Sequence, residues 1–278
     1  MKTITYKQIS SAAENLATAC SRVTPSCIRA MTAALEKESN QNAKTAMSML
    51  LSNAALAEGN GLAVCQDTGM AVFFVRLGQD VRVEGGLLTD AINEGVRNGY
   101  EKNGYRASVL DPITRKNTKD NTPAIVHIEL VDGDDLQITF LPKGFGSENM
   151  SRLFMLKPSQ GVEGVKDCIV QAVKEAGANP CPPVIVGVGI GGTAEKAMEV
   201  AKEQLLREVG EPSEDATLAD MERQVLERIN ALGIGAQGFG GDTTALAVHI
   251  GKFPTHIAAL PVAINVQCNA MRKSSVTL

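Results

Sequence analysis

The pattern of apolar and polar residues predicts a helical region at the start of the chain. Apolar positions recur at helical spacing up to about Val23, in a second segment entered at Thr24 and Pro25, and in a third from about Asn42 to Glu58. Threonine is a residue type that caps helices, and proline suits the first helical turn. The first part of the chain is therefore predicted to form three helices.

Strand-like and helical patterns alternate after this region. AVFFVRL is typical of a strand, LLTDAINEGVRNGYEK of a helix, and AIVHIELVDGDDLQITFLP of two strands around Asp132 and Gly133. Because Asp-Gly supplies the positive backbone angles of a tight turn, these two strands are predicted to pair as an antiparallel hairpin. Then come a helix in GVEGVKDCIVQAVKEAG, a strand in PVIVGVGIGG, helices in TAEKAMEVAKEQLLREV and over about 216–232, and the strands ALAVHI and HIAALPVAINV.

This order of elements predicts a mixed α/β (α+β) fold. It has N-terminal helices followed by mixed sheet elements flanked by helices, with at least one antiparallel hairpin. Residues 1–278 are expected to form one domain, and a subdivision into about 1–150 and 151–278 stays open.

Composition and charge exclude several classes of partner. The chain is 44% hydrophobic and 21% charged, and its 27 basic and 31 acidic residues give a net charge of -4. Without a basic run it has no electrostatic footprint for nucleic acid or an anionic membrane. The first residues lack the continuous apolar stretch of a secretory signal, and no run approaches the roughly 20 apolar residues of a membrane span. We therefore expect a cytoplasmic protein.

The cysteines Cys20, Cys27, Cys65, Cys168, Cys181 and Cys268 are expected to stay free thiols in a reducing cytoplasm. Cys65 lies in CQDTG, where a thiol, an amide and a carboxylate share one loop; Cys181 lies in NPCPP, where prolines stiffen the backbone; and Cys268 lies in VQCNA. Their spacing contains no C-x-x-C pair and matches no zinc-finger or ferredoxin pattern. Spacing alone therefore leaves structural and ligand roles open.

The segment GVGIGG matches the glycine pattern of dinucleotide-binding loops through Gly187, Gly189 and Gly192. A nucleotide-binding unit should continue into a second strand that ends in an acidic residue. Here the helix runs into EPSEDAT and then into another helix. Tight strand-to-helix packing and a carboxylate site at the helix N-terminus are the other interpretations.

Taken together, CQDTG, KNTKDNTPA, KGFGSENM, NPCPP followed by VGVGIGGT, and GIGAQGFGG resemble, in this order, the alpha subunits of class I iron-sulfur fumarases, and in part the related tartrate dehydratases. The resemblance covers nearly the whole chain. It implies that Cys65, Cys181 and Cys268 hold a [4Fe-4S] cluster in which one iron lacks a protein ligand. Such an enzyme is expected to be oxygen-sensitive.

The resemblance also implies roles for other matched positions. Asp67 resembles the acid/base carboxylate, and Gln66 resembles a substrate-contacting amide. Arg106 in YRASVLDP resembles the arginine that pairs with a substrate carboxylate, whereas Gly146 in KGFGSEN would bring backbone close to the ligand, and His256 resembles the substrate-binding histidine. Without the resemblance, a structural role would be favoured for these positions.

The implied activity is a hydro-lyase that interconverts (S)-malate and fumarate plus water. A separate beta subunit is expected to complete the active site, and homodimerisation of the alpha chain is expected as well. An L(+)-tartrate dehydratase, or a relative acting on methylated analogues, is the alternative within the same class. An NAD-binding dehydrogenase based on GVGIGG and a non-catalytic scaffold relative are the alternatives from other classes.

Overall fold

The computed structural model describes all residues from Met1 to Leu278. The chain divides into two compact units, the first made of Met1–Val23, Ala54–Phe145 and Arg272–Leu278 and the second of Thr24–Asn53 and Gly146–Met271. Helices and mixed sheets with antiparallel strand pairs occur in the chain, so the predicted mixed class is confirmed. No helix is both long enough and apolar enough to cross a bilayer.

The helices are, in chain order, α1 (Tyr6–Ala17), α2 (Pro25–Lys37), α3 (Gln41–Asn60), α4 (Leu88–Lys102), α5 (Phe145–Glu148), α6 (Gly161–Ala176), α7 (Ala194–Gln204) and α8 (Ala216–Asn230). The strands are β1 (Lys2–Thr5), β2 (Met70–Gly78), β3 (Val81–Glu84), β4 (Ile125–Val131), β5 (Leu136–Lys143), β6 (Arg152–Leu156), β7 (Val184–Gly191), β8 (Ala245–Phe253), β9 (Leu260–Gln267) and β10 (Ser274–Thr277).

The three predicted N-terminal helices are present, with differences at their ends. The first begins only at Tyr6, because Lys2–Thr5 forms a strand that pairs in parallel with β3. Thr5 caps this helix by accepting a hydrogen bond from the backbone N–H of Gln8. Thr24 stands at the N-cap position of α2, but its buried hydroxyl makes no capping bond and has no partner.

The first unit contains a four-stranded sheet in the order β10-β5-β2-β4. One face of this sheet packs against α1 and α4, and Phe73, Ile138 and Phe140 are fully buried between them. The two helices can approach closely because Gly95 of α4 has no side chain. A Cβ there would lie only 2.4 Å from the carbonyl oxygen of Ser10 in α1. Glycine therefore sets the spacing of the helical layer.

The predicted hairpin around Asp132 and Gly133 is wrong, although both of its strands exist. Strand β2 lies between β4 and β5, and it pairs with β4 in parallel and with β5 in an antiparallel manner. Gly133 does adopt a positive φ of 101°, but its carbonyl accepts the backbone N–H of Asp80 beyond the end of β2. The connection thus crosses the end of β2, since a turn signal fixes local geometry but not which strands become neighbours.

The second unit contains a sheet in the order β6-β9-β7-β8, in which β7 and β8 are parallel and β9 is antiparallel to β7. Helix α7 packs on one face of this sheet, where Ala197 and Ala201 meet Ala263. Helices α6 and α8 contribute to the core on the other face. Ile185 lies beside Gln267, so the start of β7 and the end of β9 meet at one end of the sheet.

Candidate active site

The CQDTG loop leads directly into β2, and two buried side chains, Cys20 and Tyr100, donate hydrogen bonds to its backbone. The carbonyl of Thr68 accepts the Cys20 thiol at 3.4 Å, and the carbonyl of Gly69 accepts the Tyr100 hydroxyl at 3.1 Å. A Cβ at Gly69, whose φ is 82°, would lie 2.8 Å from the backbone nitrogen of Lys143. The loop is therefore fixed against β5 and presents its first two side chains outward.

Asp67 is half-buried and its carboxylate is aimed by backbone donors. Its Oδ1 accepts the N–H of Gly69 at 3.0 Å, and its Oδ2 accepts the N–H of Phe145 at 2.8 Å. Its main-chain carbonyl accepts the guanidinium of Arg272 at 3.1 Å. A carboxylate fixed in this way keeps further lone pairs for a ligand or for a proton.

Cys65, Gln66 and Arg106 line one cavity of about 400 Å³ in the first unit. The thiol, the amide and the guanidinium are all exposed to solvent. Thr68 lines the same cavity, is only 2% exposed, and has a hydroxyl oxygen without a hydrogen-bond partner. The structure therefore brings three of the predicted residues together, beside a buried polar atom that a ligand would satisfy.

Arg272 supplies a buried positive charge behind this loop. Its side chain is 1% exposed, it donates to the carbonyl of Asp67, and its Nε has no partner. Nothing in the sequence pattern distinguished this arginine, whose buried charge lies close to the carboxylate of Asp67.

The loop that carries Cys181 precedes β7 in the second unit. Cys181 is exposed and has a positive φ of 56°, a left-handed conformation that costs a non-glycine residue energy. Its carbonyl accepts both the backbone N–H and the side-chain amide of Asn269, at 3.3 and 2.7 Å. The next carbonyl, that of Pro182, accepts the N–H and the side-chain amide of Gln237 at 2.8 and 2.9 Å. We call these contacts the amide clamp.

Cys268 lies at the end of β9, next to the clamp residue Asn269. The bond from Asn269 to Cys181 therefore keeps the backbones at Cys181 and Cys268 close together within the second unit. The side-chain nitrogen of the fully buried Gln267 lies 3.7 Å from the Cys268 sulfur, and its Oε1 has no partner. Two predicted ligands thus share one end of this sheet.

The six cysteines separate by exposure. Cys20, Cys27 and Cys168 are buried, whereas Cys65 and Cys181 are exposed and Cys268 is half-buried. Burial raises the pKa of the Cys20 thiol to about 11 and the pKa values of Cys27 and Cys168 to about 12. A raised pKa disfavours the thiolate, which is the form that binds metal, so the three buried cysteines are poorly suited to ligation. No three His, Cys, Asp or Glu side chains are arranged to hold a metal ion, so the cluster site stays a prediction.

Within the second unit, His256 lies away from Cys181 and Cys268, whereas Gly146 lies near the loop that carries Cys181. His256 is exposed in the loop between β8 and β9 and lines a cavity of about 520 Å³ with Gly192 and Thr193, which follow the end of β7. The cysteine pair lies at the opposite end of β7, so the second unit does not bring His256 to the thiols. A Cβ at Gly146 would lie 3.5 Å from the carbonyl of Asn179, two residues before Cys181.

The glycines of GVGIGG serve close packing of β7 against α7. A Cβ at Gly187 would lie 2.1 Å from the carbonyl of Ala201, and one at Gly189 would lie 2.1 Å from that of Ala197. Gly192 follows the strand with a positive φ of 68°. The geometry therefore favours the packing interpretation over a dinucleotide site.

Comparison with known proteins shows the family of the chain. The chain is 42% identical over 251 residues to a putative L(+)-tartrate dehydratase subunit alpha of Methanocaldococcus jannaschii, with 88% of each chain covered. It is 33% identical to the L(+)-tartrate dehydratase subunit alpha of Escherichia coli K12, with 76% of this chain and 71% of the relative covered. It is 30% identical to a putative class I fumarate hydratase of Geobacillus stearothermophilus and spans 50% of that relative's length. The sequence model of the fumarate hydratase (Fumerase) family matches residues 9–277, so the chain belongs to this family.

Proposed function

We propose that this chain is the alpha subunit of a [4Fe-4S] hydro-lyase that interconverts (S)-malate and fumarate plus water. The observation that carries the proposal is the cavity lined by Cys65, Gln66 and Arg106, in a chain of the fumarate hydratase family. Asp67 does not line this cavity, but it follows Gln66 directly in the same loop. A thiol, a hydrogen-bonding amide and a bidentate cation around one space are what a metal-assisted reaction of a carboxylate needs.

The exposure of the thiols and unpartnered buried atoms near them support the proposed cluster. Cys65, Cys181 and Cys268 are the three cysteines that are not buried, and each would provide one thiolate. Orphaned buried polar atoms lie next to two of them in sequence or space, on Thr68 near Cys65 and on Gln267 beside Cys268. When bound with one iron free of protein ligands, the cluster would supply a Lewis acid that weakens the C–O bond of the substrate hydroxyl.

This chain's own residues would contribute to the rest of the reaction, in a site that the beta subunit completes. Arg106 would hold a substrate carboxylate through two parallel hydrogen bonds, and Gln66 would fix the substrate's orientation. Asp67, aimed by the amides of Gly69 and Phe145, would remove the proton from the carbon next to the carboxylate. In the reverse direction it would return that proton. The substrate roles of His256 and Gly146 stay predictions from the resemblance.

Further parts of the proposal concern partners and location. Relatives from two organisms are named alpha subunits, which supports a beta subunit as the partner of this chain. A small dicarboxylate is the proposed substrate, and the alpha chain is proposed to form a homodimer. Free, exposed thiols suit a reducing compartment, so we place the enzyme in the cytoplasm.

L(+)-tartrate is the second candidate substrate, because the relative that is 42% identical is named as a putative tartrate dehydratase subunit. Tartrate differs from malate by one hydroxyl group. A pocket that hydrogen-bonds this group should reject malate strongly, whereas a pocket that tolerates it discriminates weakly. Relative kcat/KM values therefore separate the two candidates.

The test is anaerobic co-expression of this chain with a beta-type chain, followed by iron and sulfide analysis and by assays with fumarate, malate, tartrate and a methylated analogue. We expect about four irons per alpha chain and activity on one of these substrates. Cys181→Ser should abolish cluster assembly, whereas the matched buried variant Cys168→Ser should retain it. Equal iron content in both variants would refute the ligand assignment, and NAD binding without iron would favour a dehydrogenase.

A further inference from the structure

Strand β4 forms the edge of the first unit's sheet, and no other strand pairs with its outer side. Exposed edges are usually shortened, charged or covered, because they offer unpaired backbone groups to another chain. Here the edge is seven residues long and carries large apolar side chains, with Ile128 50% and Leu130 65% exposed. This combination marks an interaction surface.

The two faces of β4 differ in chemistry. Val126, Ile128 and Leu130 lie beside β2 residues that face the helix-covered core, such as Phe73 and Val75. His127 and Glu129 point to the other face. There, His127 stacks on Phe74 with ring centroids 4.9 Å apart, and Glu129 lies 3.3 Å from Arg76.

The sequence of β4, IVHIELV, is complementary to itself when read in the opposite direction. In an antiparallel pairing centred on Ile128, that residue faces its own copy, and Val126 faces Leu130. On the other face, His127 meets Glu129 and Ile125 meets Val131. Directly opposite residues in an antiparallel pair share a face, so every pair is either apolar with apolar or basic with acidic.

We propose that β4 pairs with β4 of a second copy of this chain in this register, about a two-fold axis at Ile128. The pairing joins two four-stranded sheets into one, with both helical layers on the same side and the exposed apolar side chains of both copies in contact. It deepens the proposed homodimer by assigning its surface, and it does not depend on the cluster or the substrate.

Neighbouring registers are less favourable. A pairing centred on Glu129 would place two carboxylates opposite each other, and one centred on His127 would set Ile125 against Glu129. Like charges opposite each other and an apolar residue facing a carboxylate both destabilise a strand pair. Charge and face therefore select the register on Ile128.

The test is sedimentation equilibrium of the full chain under reducing, anaerobic conditions. In Ile128→Glu the new carboxylate faces its own copy, so we expect the dimer dissociation constant to rise at least about ten-fold. Ile113→Glu changes a loop residue that is 87% exposed and should leave the constant unchanged. Circular dichroism and thermal unfolding check that both variants keep the monomer fold.

A charge exchange tests the register. His127→Glu alone places two acidic residues opposite each other and should weaken the dimer, whereas His127→Glu combined with Glu129→His restores opposite pairs and should recover it. A monomeric wild-type chain, equal constants for the 128 and 113 variants, or no recovery in the exchanged variant would each overturn the proposal. If Ile128→Glu disrupts only association with a co-expressed beta-type chain, the edge belongs to that partner and the proposal is wrong, while the proposed reaction stands.

Discussion

Removing the side-chain amides of Gln237 and Asn269 tests how the backbone presents Cys181. The double variant Gln237→Ala, Asn269→Ala deletes one hydrogen bond to each of two consecutive carbonyls, those of Cys181 and Pro182. The backbone N–H groups of both residues still donate to the same carbonyls. The change therefore weakens the amide clamp without removing it.

The expected effect of the double variant follows from comparing the hydrogen-bond energy that it loses with the backbone strain at Cys181. Each lost hydrogen bond contributes about 1 kcal/mol net, so the double variant loses about 2 kcal/mol. The left-handed conformation of Cys181, with φ at 56°, costs about 1–2 kcal/mol and must be offset by its surroundings. One deletion is comparable with this strain, whereas two are large enough to let the loop relax. At about 1.4 kcal/mol per factor of ten, the strained conformer should lose roughly 30-fold in relative population.

The assay is the rate of cluster loss to an iron chelator, followed by absorbance under nitrogen. We expect each single variant to lose the cluster a few-fold faster than the wild type and the double variant at least about ten-fold faster. Asn269→Asp is a sharper single change, because it sets an oxygen against the Cys181 carbonyl in nearly the same volume. We expect Asn269→Asp to lose the cluster faster than Asn269→Ala.

The matched control is Gln171→Ala combined with Asn42→Ala, which alters exposed positions of the same unit. Cluster loss at the wild-type rate in the clamp variant would refute the reasoning, as would equal acceleration in the control. A lower unfolding midpoint of the cluster-free clamp variant, with unchanged cluster loss, would assign the clamp to stability alone.

Three further outcomes are expected. Burial raises the pKa values of the Cys27 and Cys168 thiols to about 12, so at pH 8 about one part in ten thousand of each should be ionised. Both thiols should therefore escape alkylation at pH 8, whereas the exposed Cys65 should react. Labelling of Cys27 and Cys168 should rise only as the pH approaches their pKa. Asp67→Asn should keep the cluster and lower kcat at least about 100-fold in the assembled enzyme. Glu38→Ala should destabilise the chain by about 3 kcal/mol or more in urea, because several part-buried backbone amides lose their buried acceptor.

Matched variants control the last two outcomes. Asp134→Asn and Glu36→Ala change exposed carboxylates and should behave as the wild type. Unchanged turnover in Asp67→Asn would remove this residue from the reaction. If both glutamate variants shift the urea midpoint equally, the shift does not come from the amides around Glu38. Peptide mapping that finds Cys27 labelled as fast as Cys65 would contradict the partition of the thiols.

The sequence predicted the elements better than their arrangement. Helices such as α4 and α6 and strands such as β2 and β7 follow from apolar spacing, which is a local property. The pairing of β4 with β5 was wrong because β2, which is remote in sequence, lies between them. Neighbours in a sheet are chosen by the burial of whole faces, and a turn dipeptide does not encode that choice.

The sequence predicted the residues of the candidate site but not the side chains that hold their backbone in place. Motif resemblance identified Cys65, Gln66 and Arg106, and the structure groups them around one cavity. The buried charge of Arg272 and the clamp through Asn269 carry no local signal, since each acts on a residue far away in the sequence. His256 and Cys268 are only twelve residues apart in the sequence, but the whole of β9 lies between them, so they are at opposite ends of that strand.

The contacts around both loops show how the main chain that carries the proposed site residues is held. Asp67 and Cys181 are each fixed through main-chain atoms, by Arg272 on one loop and by the amide clamp on the other. Main-chain anchors leave the side chains free for a ligand while they remove the freedom of the backbone that carries them. A flexible loop would have to be ordered when the cluster forms, and that entropy would weaken binding. The strain at Cys181 is therefore consistent with a backbone kept ready for ligation, and relaxing it should weaken cluster retention more than it weakens the fold.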